Sequence, residues 1–250
     1  MTTSYLPRAT NIKDDGTGIY SKLYLHYIYD WLVLWLSNSY AWRCPTTVIL
    51  LPLFKSTMGV RHLDIGVGSG YYPAKALAAG VDCKEITIVD LNLNSLAATE
   101  NRIIKSSNAV RVTAVVADAT EHLPLPESAR FDSISMFHLL HCVPGPQERK
   151  VKAFNVVRDL LAPDGVLVGS TILGREQPMN WIAAKLMSIY NNSGTFDNWN
   201  DSRYVFEEAL GKNFEEVSIQ LVGRVMLFTA RKPRWLESDA GTRVQPEMQS

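Results

Sequence analysis

Cysteine is scarce in this chain: Cys44, Cys83 and Cys142 stand far apart among 250 residues and are odd in number. No CxxC pair or zinc-type spacing occurs, so neither a disulfide framework nor a metal site is expected. Charge of one sign is lacking too, since lysine plus arginine equals aspartate plus glutamate at 25 each. Proteins that hold nucleic acid by its phosphates carry a basic stripe, and without one no nucleic-acid partner is expected. Long hydrophobic runs are also missing. The longest, Trp31–Leu36 and Val48–Leu51, fall well short of the ~20 residues that cross a bilayer, so no membrane partner is expected either. The opening MTTSYLPRATNIKDDG has no apolar stretch of the kind a secretion signal needs. These absences lead to the expectation of a cytoplasmic monomer or homodimer acting on a small molecule.

What is present is a strand–helix alternation in a chain long enough to bury a full core. VRHLDI (60–65), EITIVD (85–90), RVTAVVAD (111–118), FDSISMF (131–137) and GVLVGSTIL (165–173) read as strands. Helical spacing separates them at 70–80, closed by Gly80, at 94–105, and at 150–161, which APDG (162–165) stops. EEVSIQLVGRVMLFTARK (215–232) reads as two strands around a tight turn at Val222–Gly223. The expected fold is α/β: a doubly wound, Rossmann-like, seven-stranded, mostly parallel sheet with a terminal antiparallel hairpin and one antiparallel edge strand. Residues 17–55 are helical and dense in aromatics, and 174–213 is too long for a plain crossover. Its second helix begins at Asp201, a suitable N-cap. Both regions read as a lid over the carboxyl ends of the strands, where such sheets bind ligands. The other use for these aromatics is simply to pack the lid onto the sheet. The domain expectation is a helical cap over 1–55, a core over 56–232 with a lid insertion at 174–213, and a flexible tail over 233–250.

The chemistry concentrates at strand tips. In HLDIGVGSG (62–70) a strand ends in Asp64, and Gly66, Gly68 and Gly70 follow at two-residue spacing before a helix. Glycine lets backbone approach a ligand closely. A dinucleotide fingerprint would be GxGxxG; here the third glycine comes one position early. A carboxylate at Asp64 would repel a pyrophosphate but suits a cationic ligand. Asp90 closes the second strand and can accept both ribose hydroxyls. Asp118, beside the small Ala119, can accept an adenine amine. Past the fourth strand stand His138 and His141, the side-chain type that titrates nearest neutrality. A loop-holding bond to a backbone carbonyl is the alternative use of His141.

Together these pieces resemble the class I S-adenosylmethionine-dependent methyltransferases over about residues 60–232. LLAPDGVL matches that family's turn into strand five. YIYDWLVLWLSNSYAWRCPT, HLLHCVPG and GSTILG further resemble a group of small microbial and fungal methyltransferases. The resemblance implies S-adenosyl-L-methionine as cofactor, held by Asp64, Gly66, Gly68, Gly70, Asp90, Leu91, Asp118, Ala119, Met136 and Phe137. The substrate is expected to be a small, largely apolar or aromatic metabolite of secondary metabolism, against Tyr27, Tyr29, Trp42 and Trp181. His138 is the first candidate for general base or substrate anchor and His141 the second, with a pH limb near the ordinary imidazole value of about 6–7. Asp64 is expected to stay ionised and serve the cofactor. MFHLLHC offers no metal-chelating acid, no [ND]PP[YF] motif and no paired glutamates, which argues against three methyltransferase subclasses. Two other readings stay open: a protein of this fold that uses the bound cofactor for a non-methylating cyclisation or rearrangement, and, disfavoured by GxGxG and Asp64, a nicotinamide oxidoreductase.

Overall fold

The computed structural model describes residues 37–235. A π-helical turn (Thr46–Leu50) runs into helix α1 (Leu51–Thr57), whose proline sits in the first turn, where a missing N–H is tolerated. There follow β1 (Arg61–Ile65), α2 (Tyr71–Ala78), β2 (Glu85–Asp90), α3 (Leu93–Ser106), β3 (Arg111–Val116) and β4 (Phe131–Phe137). A single 3₁₀ turn (Leu140–Cys142) precedes α4 (Gln147–Lys150), α5 (Lys152–Leu160), β5 (Leu161–Ile172), α6 (Trp181–Asn192), α7 (Arg203–Asn213), β6 (Phe214–Val222) and β7 (Val225–Pro233). All seven strands form one sheet in the order β3-β2-β1-β4-β5-β7-β6. The first five run parallel, and β7 is antiparallel to both β5 and β6.

The antiparallel strand is therefore interior, and the edge strand β6 runs with the first five, contrary to the expected antiparallel edge. The reason lies in the two sequences. Val225–Phe228 is continuously apolar and buried, as a strand covered on both faces must be, whereas β6 is buried only at Phe214 and beyond Glu216 alternates half-buried and exposed positions in the manner of an edge. The turn joining them is Gly223-Arg224, one residue later than expected, with Gly223 at φ 59° and Val222 paired to Val225.

Strand alternation sorts side chains onto two faces. His62, Asp64, Ser133, Ser135 and Phe137 face α1, α2 and α3. Leu63, Ile65, Ile134 and Met136 face α5 and α7 in the second apolar cluster, with Phe154, Phe206 and Phe228. Helix α7 is thus part of the core: Phe206 and Leu210 are fully buried, and the Phe206 ring lies 6.3 Å from that of Phe154. Only α6 and the loop after it remain of the expected lid insertion. The cap of α7 is Ser202, which accepts from the Tyr204 N–H, because Asp201 is taken by Lys150. The 55/56 boundary also falls inside α1, whose Phe54 is buried against His62, Tyr72 and Phe137. At the other end Pro233 still pairs with Phe214, so the sheet passes the expected start of the tail.

Phe54 joins α1 to the sheet through His62 and Phe137 and to α2 through Tyr72, so Phe54→Ala should lower stability by about 3–5 kcal/mol in urea unfolding, the range for a large aromatic removed from a core. A 56–250 fragment, which lacks this ring, should unfold at lower urea still.

Candidate active site

The glycine turn after β1 is built from three left-handed residues, Gly66, Gly68 and Gly70, at φ 73°, 53° and 68°. They differ in purpose. A Cβ on Gly66 would meet Leu139 at 2.7 Å, and one on Gly70 would meet Thr99 at 2.8 Å, so these two are glycine for packing. A Cβ on Gly68 would meet nothing within 4 Å. That open space beside bare backbone is where a ligand can approach.

Two acids stand beside it. Asp64 is 4% exposed, accepts from Ser135 Oγ at 2.5 Å, and is pushed up to about 7 by burial, with the field of Asp90 adding to the rise. Its expected permanent charge is therefore conditional: a cationic ligand would complete it. Asp90 is raised more modestly, by burial, and is held by N–H groups of Asn92, Gly68, Leu91 and Val67, which tie the glycine turn to the tip of β2. Leu91 beside it is 65% exposed, an apolar surface for a flat ring. Asp118 is more committed. Oδ1 accepts from the Thr120 N–H and hydroxyl, both at 2.8 Å, and Oδ2 from Arg149 at 2.6 Å. These donors hold its carboxyl below the usual range against a desolvation that acts the other way, and one lone pair of Oδ2 remains for an adenine amine. Ala119 is buried next to it. Met136 is fully buried on the opposite face of the sheet, among Phe154 and Phe228, and cannot reach the turn. Phe137 is on the right face and packs on Tyr72 at 5.0 Å between ring centres.

His138 follows β4 in a left-handed conformation, φ 55°, with its N–H bonded to Ser170. A side chain in that region is strained, and the strain is held by its surroundings. Its Nε2 lies 3.3 Å from Asn38 Nδ2, which also donates to Thr46 Oγ1 at 2.9 Å. Its Nδ1 is buried and has no partner among the described residues. Burial alone pulls the ring down to about 4. His141 has the structural role. Its Nδ1 accepts from the Ile172 N–H at 3.3 Å, its carbonyl accepts from the Asp197 N–H, and its ring packs edge-on against Phe196 at 4.5 Å. The bond thus goes to a backbone N–H and not to the carbonyl the sequence suggested.

Phe196 also meets Tyr190 at 4.7 Å and Trp42 at 6.1 Å, which brings the residues before α1 and the α6 loop together over His141. Trp42 is 1% exposed and serves as core of that cover. Trp181 is 76% exposed at the start of α6 and belongs to neither apolar cluster of the described residues. Tyr27 and Tyr29 lie outside the described residues. A cleft of about 270 Å³ lined by Gly145, Pro146, Gln147, Asp197, Asn200 and Asp201 includes neither the glycine turn nor His138. The sequence reading missed Asn38, Thr46, Tyr72 and Ser135. Asn38 and Thr46 lie in the family-like segment 27–46 without any role marked there, and Tyr72 and Ser135 reach the site by packing; only the SxS of β4 beside HxD of β1 offered a signal, as facing polar pairs in apolar strands.

Comparison with known proteins follows this geometry. Residues 63–167 match the methyltransferase domain family. An O-methyltransferase of Aspergillus niger is 55% identical over 193 residues, covering 76% of this chain and 98% of the relative. The physcion biosynthesis cluster O-methyltransferase of Aspergillus chevalieri is 38% identical over 219 residues, covering 88% and 96%. Among solved structures, the O-methyltransferase NcsB1 from neocarzinostatin biosynthesis, in complex with S-adenosyl-L-homocysteine and 1,4-dihydroxy-2-naphthoic acid, superposes with a TM-score of 0.53. It shares 14% identity, and the match covers 84% of this chain and 56% of that one.

The buried groups set an acid limit on the fold. Burial holds His62 at about 3, His138 at about 4 and His141 well below the ordinary 6.5. A base held below its unfolded value stabilises fully above that value, and its contribution is lost as pH falls toward the folded one. Asp64 and Asp201, raised by burial to about 7 and about 6, act in the opposite sense, weakening the fold as pH rises through the same window. Asp90, raised more modestly by burial, acts in that sense too, but the three imidazoles are all held well below 6.5 and outweigh these carboxyls, so stability measured by urea unfolding should fall between pH 6.5 and 4. A profile that is flat or rises toward acid would contradict neutral buried imidazoles.

Proposed function

The chain belongs to the class I S-adenosylmethionine-dependent methyltransferases, and from that premise we propose that it O-methylates a small, largely aromatic metabolite at a hydroxyl, with His138 taking the proton. Transfer of methyl from S-adenosylmethionine to a small metabolite is the activity of its family. The residues suit the cofactor: open space at Gly68, the buried Asp64 for a cation, and Asp90 at the β2 tip for ribose hydroxyls. When bound, the cofactor supplies an electrophilic methyl on a sulfonium. The chain's part is alignment, exclusion of water and movement of one proton.

The observation that carries the proposal is the buried Nδ1 of His138, without a partner among the described residues, on strained backbone at the tip of β4. With the Asn38 amide nitrogen against Nε2, the imidazole proton sits on Nδ1 and the ring is a donor. Half a turn of the same amide puts Oδ1 there, where it accepts from both Nε2–H and the Thr46 hydroxyl. Nδ1 is then bare, and in that arrangement it takes the substrate proton. A base held near 4 suffices, because a hydroxyl oxygen becomes strongly acidic as it bonds carbon. Phe196, Tyr190 and Trp42 form an apolar, aromatic cover. Hydroxyl as the acceptor and an aromatic substrate also follow the names of the relatives and the dihydroxynaphthoic acid held by NcsB1. Among the described residues no helix is long and apolar enough to cross a membrane, and all three cysteines are free, which suits the proposed cytoplasmic setting for a monomer or homodimer.

His138→Ala should lower kcat by about 10²–10⁴ and leave cofactor affinity intact. At saturating cofactor the acid limb of the wild-type kcat profile should lie near pH 4, as burial places the ring, and not near 6–7. A loss of only a few-fold would mean that alignment alone drives transfer. Asp90→Ala should weaken S-adenosylmethionine binding about tenfold or more in calorimetry, the value of one charge-assisted hydrogen bond. One S-adenosylhomocysteine should form per turnover; turnover without it would replace methyl transfer by a rearrangement.

A further inference from the structure

Beneath the cofactor carboxylate lies a polar chain that the proposed chemistry does not use. β1 and β4 pair in parallel with His62 beside Ser133 and Asp64 beside Ser135. Four polar side chains thus share one face of the sheet, and all are buried: Ser133 and Ser135 at 0%, His62 at 1% and Asp64 at 4% exposure. Phe54 covers His62 edge-on at 5.3 Å. The contacts are continuous. The Gly59 N–H donates to Ser133 Oγ at 2.7 Å, and Ser133 Oγ lies 2.6 Å from His62 Nδ1. His62 Nε2 lies 2.9 Å from Ser135 Oγ, which donates to Asp64 Oδ1 at 2.5 Å.

Hydrogen count gives the chain a direction. A neutral imidazole has one donor and one acceptor nitrogen. The backbone N–H of Gly59 can only donate, which leaves the Ser133 hydroxyl hydrogen free for His62 Nδ1. The His62 proton then sits on Nε2 and goes to Ser135, whose hydroxyl hydrogen goes to Asp64. Every donor points at a carboxylate. A proton on Asp64 Oδ1 would reverse the order, with His62 Nδ1–H and Gly59 N–H both donating to Ser133 and the buried Ser133 hydroxyl left without an acceptor among these groups; a proton on Oδ2 would keep the order but reduce the Ser135 bond from charge-assisted to neutral. Aligned bonds of this kind strengthen one another.

We propose that Gly59, Ser133, His62 and Ser135 form a one-directional hydrogen-bond relay that holds Asp64 in its charged form for the cationic cofactor, with His62 and Ser135 as positioning residues. The proposal rests on the reading that Asp64 serves the cofactor. Burial opposes the relay, as does Asp90 on β2, while Tyr72 on α2 is a neutral phenol whose own ionisation burial suppresses. His62 stays neutral, held to about 3, and so transmits orientation and not charge.

The test is the affinity of the full-length protein for S-adenosylmethionine, by calorimetry, from pH 5.5 to 9. Wild-type affinity should fall about tenfold per pH unit below the Asp64 midpoint, near 7, because binding must then expel a proton. Ser135→Ala should move that midpoint up by about one unit, since a charge-assisted bond to the carboxylate is gone. His62→Leu should move it in the same direction. His62→Gln, whose amide can donate to Ser135 from near the Nε2 position, should restore it, a rescue that a merely structural role would not show. If His62→Leu does not fold, Ser135→Ala and His62→Gln decide. A uniform loss of affinity with an unmoved midpoint overturns the relay. Asp64→Asn is the separate control: if it binds the cofactor as wild type does at pH 8, the assignment of Asp64 to the cofactor fails, whatever the relay does.

Discussion

Asp64 and Ser135 lie side by side on neighbouring parallel strands, oxygen to oxygen at 2.5 Å, where the order of the sheet reverses. From β1 the chain runs outward through β2 and β3 on one side, and β4 and β5 fill the other. The loops leaving β1 and β4 therefore part in opposite directions and open a crevice at the carboxyl ends, as doubly wound sheets do at their switch point. Every element of the proposed site leans on this pairing. It places the glycine turn against Leu139, the acid of β1 against a hydroxyl of β4, and His138 one residue past the common edge. A one-residue slip would send Asp64 to the face of Phe154 and Phe228 and leave a carboxylate in a dry aromatic cluster.

The segment between β5 and α7 is fastened by buried polar contacts as well as by rings. Arg224, in the β6–β7 turn, spreads its guanidinium over the carbonyls of Leu173, Gly174, Gln177 and Pro178 and so fixes the start of the segment leading to α6. Lys150 reaches both oxygens of Asp201 at 2.8 Å and the carbonyl of Asp197, where that segment returns. Asn198 donates to the carbonyl of Ile172 at the end of β5. Such bonds are directional, so they specify one geometry where apolar packing would accept several. Between them Phe196 seats on His141. The same dryness that pulls His138 and His62 below the ordinary imidazole value pushes Asp64 above the ordinary carboxyl value, so one constraint, exclusion of water, shifts all three groups.

Much of the fold was legible because its signals are local. A strand covered on both faces reads as an apolar run, and β2 and β4 begin and end where their sequences do. The glycine spacing marked the turn, and the acids at the ends of β1 and β2 and just past β3 marked the carboxyl ends of the strands. Less of the site was legible. Met136 belongs to the same apolar run as Phe137, yet parity sends it to the opposite face. Trp42 and Trp181 carry the same indole, and only burial distinguishes a core ring from a solvent-exposed one. His138 and His141 differed in sequence only by their distance from the strand tip, but one ring accepts from β5 and packs on Phe196 while the other leaves a buried nitrogen unpaired among the described residues.

The sequence by itself determined the alternation of strands and helices, the glycine turn, the polarity of each strand tip and the family to which they point. These depend on the period of hydrophobicity and on the conformational limits of single residues, which act within a few positions of the chain. Tertiary structure decided which residues meet: β7 beside β5 with β6 at the edge, α7 on the sheet and not over the crevice, Asn38 against a histidine one hundred positions away, and two serines beside a histidine and an aspartate. Register between distant strands and the removal of water are collective properties of the packed chain. No short stretch encodes them, and they alone set which buried groups are charged.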